Sequence, residues 1–155
     1  MLVLQELIRF RHVGVVVQDL ERALRFYRDL LGLTVVAQMR ESGAYLDGLL
    51  GLRSADVTTA KLSAGAGATL IELVQFHSHH DTPAAAGAAR PIYAVGPSHV
   101  AFTVQDLDAV YHRLAGAGVP FHSPPQRSAD GAVRVCCCRD PDGTMVELVE
   151  PLGTR

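Results

Sequence analysis

The chain has 155 residues, 48% of them hydrophobic and 19% charged, with a formal net charge of −2. That balance suits a well-packed domain, or two small modules sharing a core, and excludes an intrinsically disordered chain. No basic stripe offers itself to a phosphate backbone, and every apolar run is broken short of a membrane-spanning length, so neither nucleic acid nor a bilayer is expected as a partner.

In chain order, Met1 to Ile8 carries no basic n-region and no small-residue cleavage site, which points to a cytoplasmic location. Phe10 to Val17 reads as a strand. Asp19 is a good N-cap for a helix whose apolar residues Leu20, Ala23, Leu24, Tyr27 and Leu31 recur at helical spacing, and Gly32 is placed to end it in a left-handed cap. Leu33 to Gln38 is a second strand. Glu41 to Ala55 contains Gly43, Gly48 and Gly51 and reads as a loop or a short helix around Leu46, Leu49 and Leu50. Val57 to Leu62 and Ala68 to Gln75 are strands joined through the glycine-rich turn at Ala64 to Gly67. The first half is therefore β-α-β-β-β, and the Ala-, Gly- and Pro-rich stretch that follows is a linker.

The second half repeats this order. Ser98 to Val104 is a strand, and Asp106 caps a helix with Leu107, Val110, Tyr111 and Leu114 on its inner face. Val119-Pro120-Phe121 starts the next strand, and Val133 to Cys138 pairs with Thr144 to Val149 around the turn Asp140-Pro141-Asp142-Gly143. The three cysteines are consecutive, Cys136-Cys137-Cys138, which suits neither a disulfide framework nor a zinc knuckle. They read as small apolar residues filling a buried strand.

Two echoes bind the halves together. The frame H-V-x-x-x-V-Q-D-L-[ED] begins at His12 and again at His99, a constant offset of 87 residues that also relates Asp19 to Asp106. Each half then closes on a strand with a central glutamate, Leu70-Ile71-Glu72-Leu73-Val74 and Met145-Val146-Glu147-Leu148-Val149. The glutamates are 75 residues apart, so the first half carries about twelve extra residues, most simply within Glu41 to Ala55. A single histidine on an apolar strand is more often a hydrogen-bonded core residue than a ligand, and a single strand glutamate often just faces solvent. Neither reading explains the same residue type at the same repeat position twice. His12, Glu72, His99 and Glu147 are therefore the candidate ligands of one divalent metal, with Zn, Ni, Co, Mn and Fe(II) all compatible with two imidazoles and two carboxylates. His77, His79, His80, His112 and His122 have no such echo and read as surface or structural residues.

These features resemble the vicinal oxygen chelate superfamily, also called glyoxalase / bleomycin-resistance / dioxygenase. The resemblance rests on the strand-opening histidines, the D-L-x-x-A-L-x-F-Y-R-D-x-L-G-L segment of Asp19 to Leu33, and the D-P-D-G-x-x-x-E-L-x-E ending of Asp140 to Glu150. It implies an α+β fold in which two paired βαβββ modules form a curved, cup-like mixed sheet with helices on the outer face. A single glyoxalase-like domain over residues 1–155 would then comprise a module at 9–76, a linker at 77–96 and a module at 97–151. The resemblance further implies a homodimer, a small-molecule substrate, and His12, Glu72, His99 and Glu147 as metal ligands, with Glu147 as base and Glu72 as ligand and second proton shuttle.

The expected activity is that of a metal-dependent lyase or isomerase, in which the metal chelates two vicinal oxygens while a carboxylate removes a neighbouring proton. Two alternatives are an extradiol-type Fe(II) dioxygenase and a non-catalytic drug-binding protein of the bleomycin-resistance kind. Val16 and Phe76 stand where glutathione-using members carry an arginine and an asparagine, and apolar side chains cannot grip the carboxylates of that thiol.

Overall fold

The computed structural model describes residues 10–80, 93 and 95–153. The segment before Phe10 and most of the linker lie outside the described residues. The chain divides into two compact units between residues 82 and 83, and each unit builds its own four-stranded mixed sheet.

In the first unit β1 (His12–Val16) leads into α1 (Leu20–Leu24), which continues as a π-helical turn over Arg25–Leu30. Asp19 caps α1 as its sequence predicts, accepting from the Arg22 N–H at 2.7 Å. The switch to π geometry rotates the helix phase. Phe26 and Tyr27 are consequently both buried, stacked edge-to-face with centroids 5.0 Å apart, while Leu31 is only half-buried. The strict helical spacing expected for Leu31 therefore fails at the π turn.

β2 (Thr34–Ser42), α2 (Ala44–Leu50), β3 (Asp56–Ser63) and β4 (Leu70–Phe76) complete the unit in the sheet order β1-β4-β3-β2. β1 runs parallel to β4, and β3 antiparallel to both β4 and β2. The ambiguous segment at Glu41 to Ala55 resolves as α2, closed by Gly51 in the left-handed conformation at φ 66°. Leu46 of α2 packs with Ala55 and Val57, and with half-buried Leu52, Val74 and Phe76. Val57, Val74 and Phe76 share a sheet face with Glu72 by strand alternation, so α2 covers one end of that face.

The second unit follows the same plan with β5 (His99–Thr103), α3 (Leu107–Gly116), β6 (Gln126–Arg127), β7 (Val133–Arg139) and β8 (Met145–Pro151), in the order β5-β8-β7-β6. Asp106 caps α3 through the Ala109 N–H at 3.0 Å. Leu107 and Leu114 are buried, with Val110 and Tyr111 half-buried. The strand expected at Val119-Pro120-Phe121 is reduced to one bridge from Phe121 to Cys138. Pairing resumes only at β6, because Pro120 and the Pro124-Pro125 pair lack the N–H groups a longer ladder needs.

Gln75 and Glu150 sit at equivalent positions, three residues past the two repeated glutamates, and perform one task. Gln75 Oε1 accepts from the Leu20 N–H at 2.8 Å, and Glu150 Oε1 from the Leu107 N–H at 3.4 Å. Each ties the start of a helix to the strand that carries a candidate ligand.

Candidate metal centre

Parallel pairing of β1 with β4 sets Gly14 opposite Glu72 and His12 opposite Leu70. His12 is thus two residues along the strand from Glu72's own partner, on the same face, and its ring leans across the gap. Glycine at position 14 has no side chain to intervene. His12 Nε2 lies 3.2 Å from Glu72 Oε2. The second unit reproduces the arrangement with Ala101 opposite Glu147 and His99 opposite Met145, and His99 Nε2 lies 3.3 Å from Glu147 Oε2.

These spacings carry chemical information. Two donors about 2.1 Å from one ion lie ~3.0 Å apart at a right angle and ~3.4 Å apart at the tetrahedral angle. The observed 3.2 and 3.3 Å fall between those edges, so each pair fits two corners of a divalent ion's coordination shell. Among the described residues no group of three or more His, Cys, Asp or Glu side chains is placed to hold an ion, so the donors come as pairs. The structure brings His12 to Glu72 and His99 to Glu147, each within its own unit.

The two pairs have different surroundings. His99 Nδ1 bonds Ser98 Oγ at 2.7 Å. In the tautomer with its proton on Nδ1, His99 would donate to that hydroxyl and keep the Nε2 lone pair for a cation. His12 Nδ1 is buried without a hydrogen-bond partner among the described residues, the position before it being Arg11 rather than serine. Glu72 has a second neighbour, since Lys61 stands directly across β3 from it and brings Nζ to 3.5 Å from Oε1. The residue directly across β7 from Glu147 is Cys137. Burial first, and the Glu147 charge second, push the Cys137 thiol up, keeping it protonated at neutral pH.

This corrects the reading of the cysteines as uniform core filler. Cys136 and Cys138 are buried on the helix side of β7, but Cys137 lies half-buried on the face of Glu147. Lys61, Ser98 and Cys137 were not among the candidate site residues. Ser98 adjoins His99 in sequence, but nothing in composition marks it. Lys61 and Cys137 follow from strand register alone, and they differ between the repeats. The remaining histidines behave as surface or structural groups where their contacts are seen: His77 Nε2 bonds Thr58 Oγ1 at 2.7 Å, His79 Nδ1 bonds Ser78 Oγ at 2.8 Å, and the His112 ring meets Tyr111 edge-on. Phe76 packs against the cluster beneath α2.

Comparison with known proteins gives this arrangement its class. Residues 9–148 match the model of the Glyoxalase/Bleomycin resistance protein/Dioxygenase superfamily, and the chain belongs to that family. It superposes on the crystal structure of a glyoxalase family protein from Bacillus cereus with a TM-score of 0.87 and 27% identity, covering 99% of this chain and 100% of the other. The trypanothione-dependent glyoxalase I of Leishmania major shares the fold at a TM-score of 0.61 and 22% identity, over 92% of this chain and 86% of that one. The uncharacterized protein YraH of Bacillus subtilis is 24% identical over 140 residues, which is 90% of this chain and 96% of YraH. Among the described residues no helix is long and apolar enough to cross a membrane.

Proposed function

We propose that this protein is a cytoplasmic, homodimeric, metal-dependent lyase or isomerase of the glyoxalase and epimerase type, acting on a small metabolite with two vicinal oxygens. His12 and Glu72 from one module and His99 and Glu147 from the other hold one divalent ion. The observation that carries the reading is the repeated approach of an imidazole Nε2 to a carboxylate oxygen, 3.2 Å in one unit and 3.3 Å in the other, at matching repeat positions. Family membership supports it. A divalent ion supplies Lewis acidity toward the paired substrate oxygens.

The chain's own groups do the rest. Glu147 takes the proton from the carbon beside those oxygens onto its carboxylate and returns it to the neighbouring position or face. Across β7 it faces Cys137 rather than a charged side chain. Glu72 acts as ligand and as a second proton shuttle. Val16 is exposed on the face of His12, and Phe76 is engaged in packing, so nothing at these two positions grips the carboxylates of glutathione. This favours a substrate other than a glutathione adduct.

The test uses metal-loaded protein against methylglyoxal hemithioacetals of several thiols and against acyl-CoA epimers, in deuterated water. Expected are turnover with solvent deuterium entering the carbon beside the oxygens, and a loss of about 10²-fold or more in Glu147→Gln. Oxygen uptake with catechols by the Fe(II)-loaded protein would replace this reading with an extradiol-type dioxygenase. Tight binding of a large planar antibiotic by protein that takes up no metal would replace it with a drug-binding function.

A further inference from the structure

The two half-sites match in their histidines and glutamates but differ in what backs each glutamate, and the difference has a chemical sense. Glu72 uses its two oxygens separately, Oε2 toward His12 Nε2 at 3.2 Å and Oε1 toward Lys61 Nζ at 3.5 Å. Lys61 and Glu72 are direct cross-strand partners, so a short rigid ladder sets their approach rather than a flexible loop. Their side chains are only 27% and 18% exposed, which separates this contact from a solvated surface ion pair of negligible effect. The register-equivalent neighbour of Glu147 is Cys137, a thiol where the first half-site has an ammonium group.

We propose that Lys61 is a positioning residue for Glu72. Its ammonium group holds one carboxylate oxygen so that the other stays presented beside the His12 imidazole. The first half-site is thereby the more firmly held of the two, and Glu72 turns from ion to substrate less readily than Glu147. Glu147, with a thiol in the corresponding place, keeps a carboxylate free to turn between ion and substrate. A group that orients a ligand from behind typically governs metal affinity by 10–100-fold. Lys61 makes one contact of this kind, so the lower end of that range applies. The inference rests on the metal reading above and adds to it an unequal division of work between the two carboxylates.

The experiment measures zinc affinity by chelator competition on the full-length protein, with folding checked by circular dichroism. The variants are Lys61→Met, Lys61→Arg, Glu72→Gln and Glu147→Gln, together with the two double variants that combine Lys61→Met with each glutamine substitution. Lys61→Met should weaken zinc binding about tenfold, and Lys61→Arg, which keeps a cationic donor, should recover most of that loss. In the Glu72→Gln background Lys61→Met should cost nothing further, whereas in the Glu147→Gln background its full cost should persist. Such dependence on one glutamate is beyond a general effect on stability. Unchanged or tighter zinc binding in Lys61→Met, or an equal cost with Glu72 removed, would overturn the role of Lys61 while leaving the metal reading intact. If Lys61→Met does not fold, Lys61→Gln is judged by the same cycle. Wild-type protein that takes up no zinc would overturn both, since Glu72 would have no ion to be held for.

Discussion

At the scale of single residues, strand alternation decides most of the chemistry. Three consecutive cysteines on β7 acquire two environments because neighbouring side chains point to opposite faces. Burial pushes the thiol of Cys136 up to about 11 and that of Cys138 up to about 12. In native protein a thiol reagent should therefore modify at most Cys137, with the other two reacting only after unfolding. Two or three fast-reacting thiols would contradict the burial. The same shifts set a sign for alkaline stability. A thiol ionises more readily in the unfolded chain than when buried, so the contribution is complete below about pH 8.5 and is lost as pH rises toward the folded values. Urea denaturation midpoints should fall between about pH 9 and 11, and the fall should be shallower in Cys138→Ala.

The residue scale also shows what the sequence made legible. His12, Glu72, His99 and Glu147 stood out because duplication repeated them, and repetition outweighs the ordinary reading of any one of them. Lys61, Ser98 and Cys137 did not stand out because the repeats differ there. Placing Lys61 opposite Glu72 requires the hairpin register, which the glycine-rich turn between β3 and β4 leaves open.

At the scale of elements, the link from helix start to ligand strand is the recurring device. Gln75 and Glu150 satisfy N–H groups that no helical carbonyl can reach, those of Leu20 and Leu107. Glu150 is also engaged by Arg134, which grips Asp108 more closely, at 2.6 Å. Gln75 is the cleaner test. Gln75→Ala should lower stability by about 1 kcal/mol, within the range for losing an N-terminal cap. Thermal denaturation checks it, and an unchanged midpoint would mean that water replaces the side chain without cost. Neither contact was legible beforehand, because it joins residues 55 and 43 positions apart. The caps at Asp19 and Asp106 were legible, because each acts three residues along its own chain. The π turn is not legible in the sequence for a related reason: its Leu31 N–H to Phe26 carbonyl bond skips a residue relative to the α pattern.

At the scale of the whole molecule, the order of elements in each half was readable from periodicity and turn chemistry, and family membership was readable from the repeated frame. The α2 insertion was located by counting, and it lies between β2 and β3, where the second unit joins β6 to β7 by a short turn over residues 128–132. What counting did not give was its destination, the end of the sheet face that bears Glu72.

The central claim is that two modules lend one His/Glu pair apiece to a single ion, and elemental analysis of purified protein tests it most directly. Wild-type protein, His12→Ala and His99→Ala are compared for bound divalent metal per chain. The account predicts one ion per chain in the wild type and its loss in both variants alike, because neither pair suffices alone. Two ions per chain, or an ion retained at full occupancy after His12 is removed, would show that the pairs act independently and contradict the account.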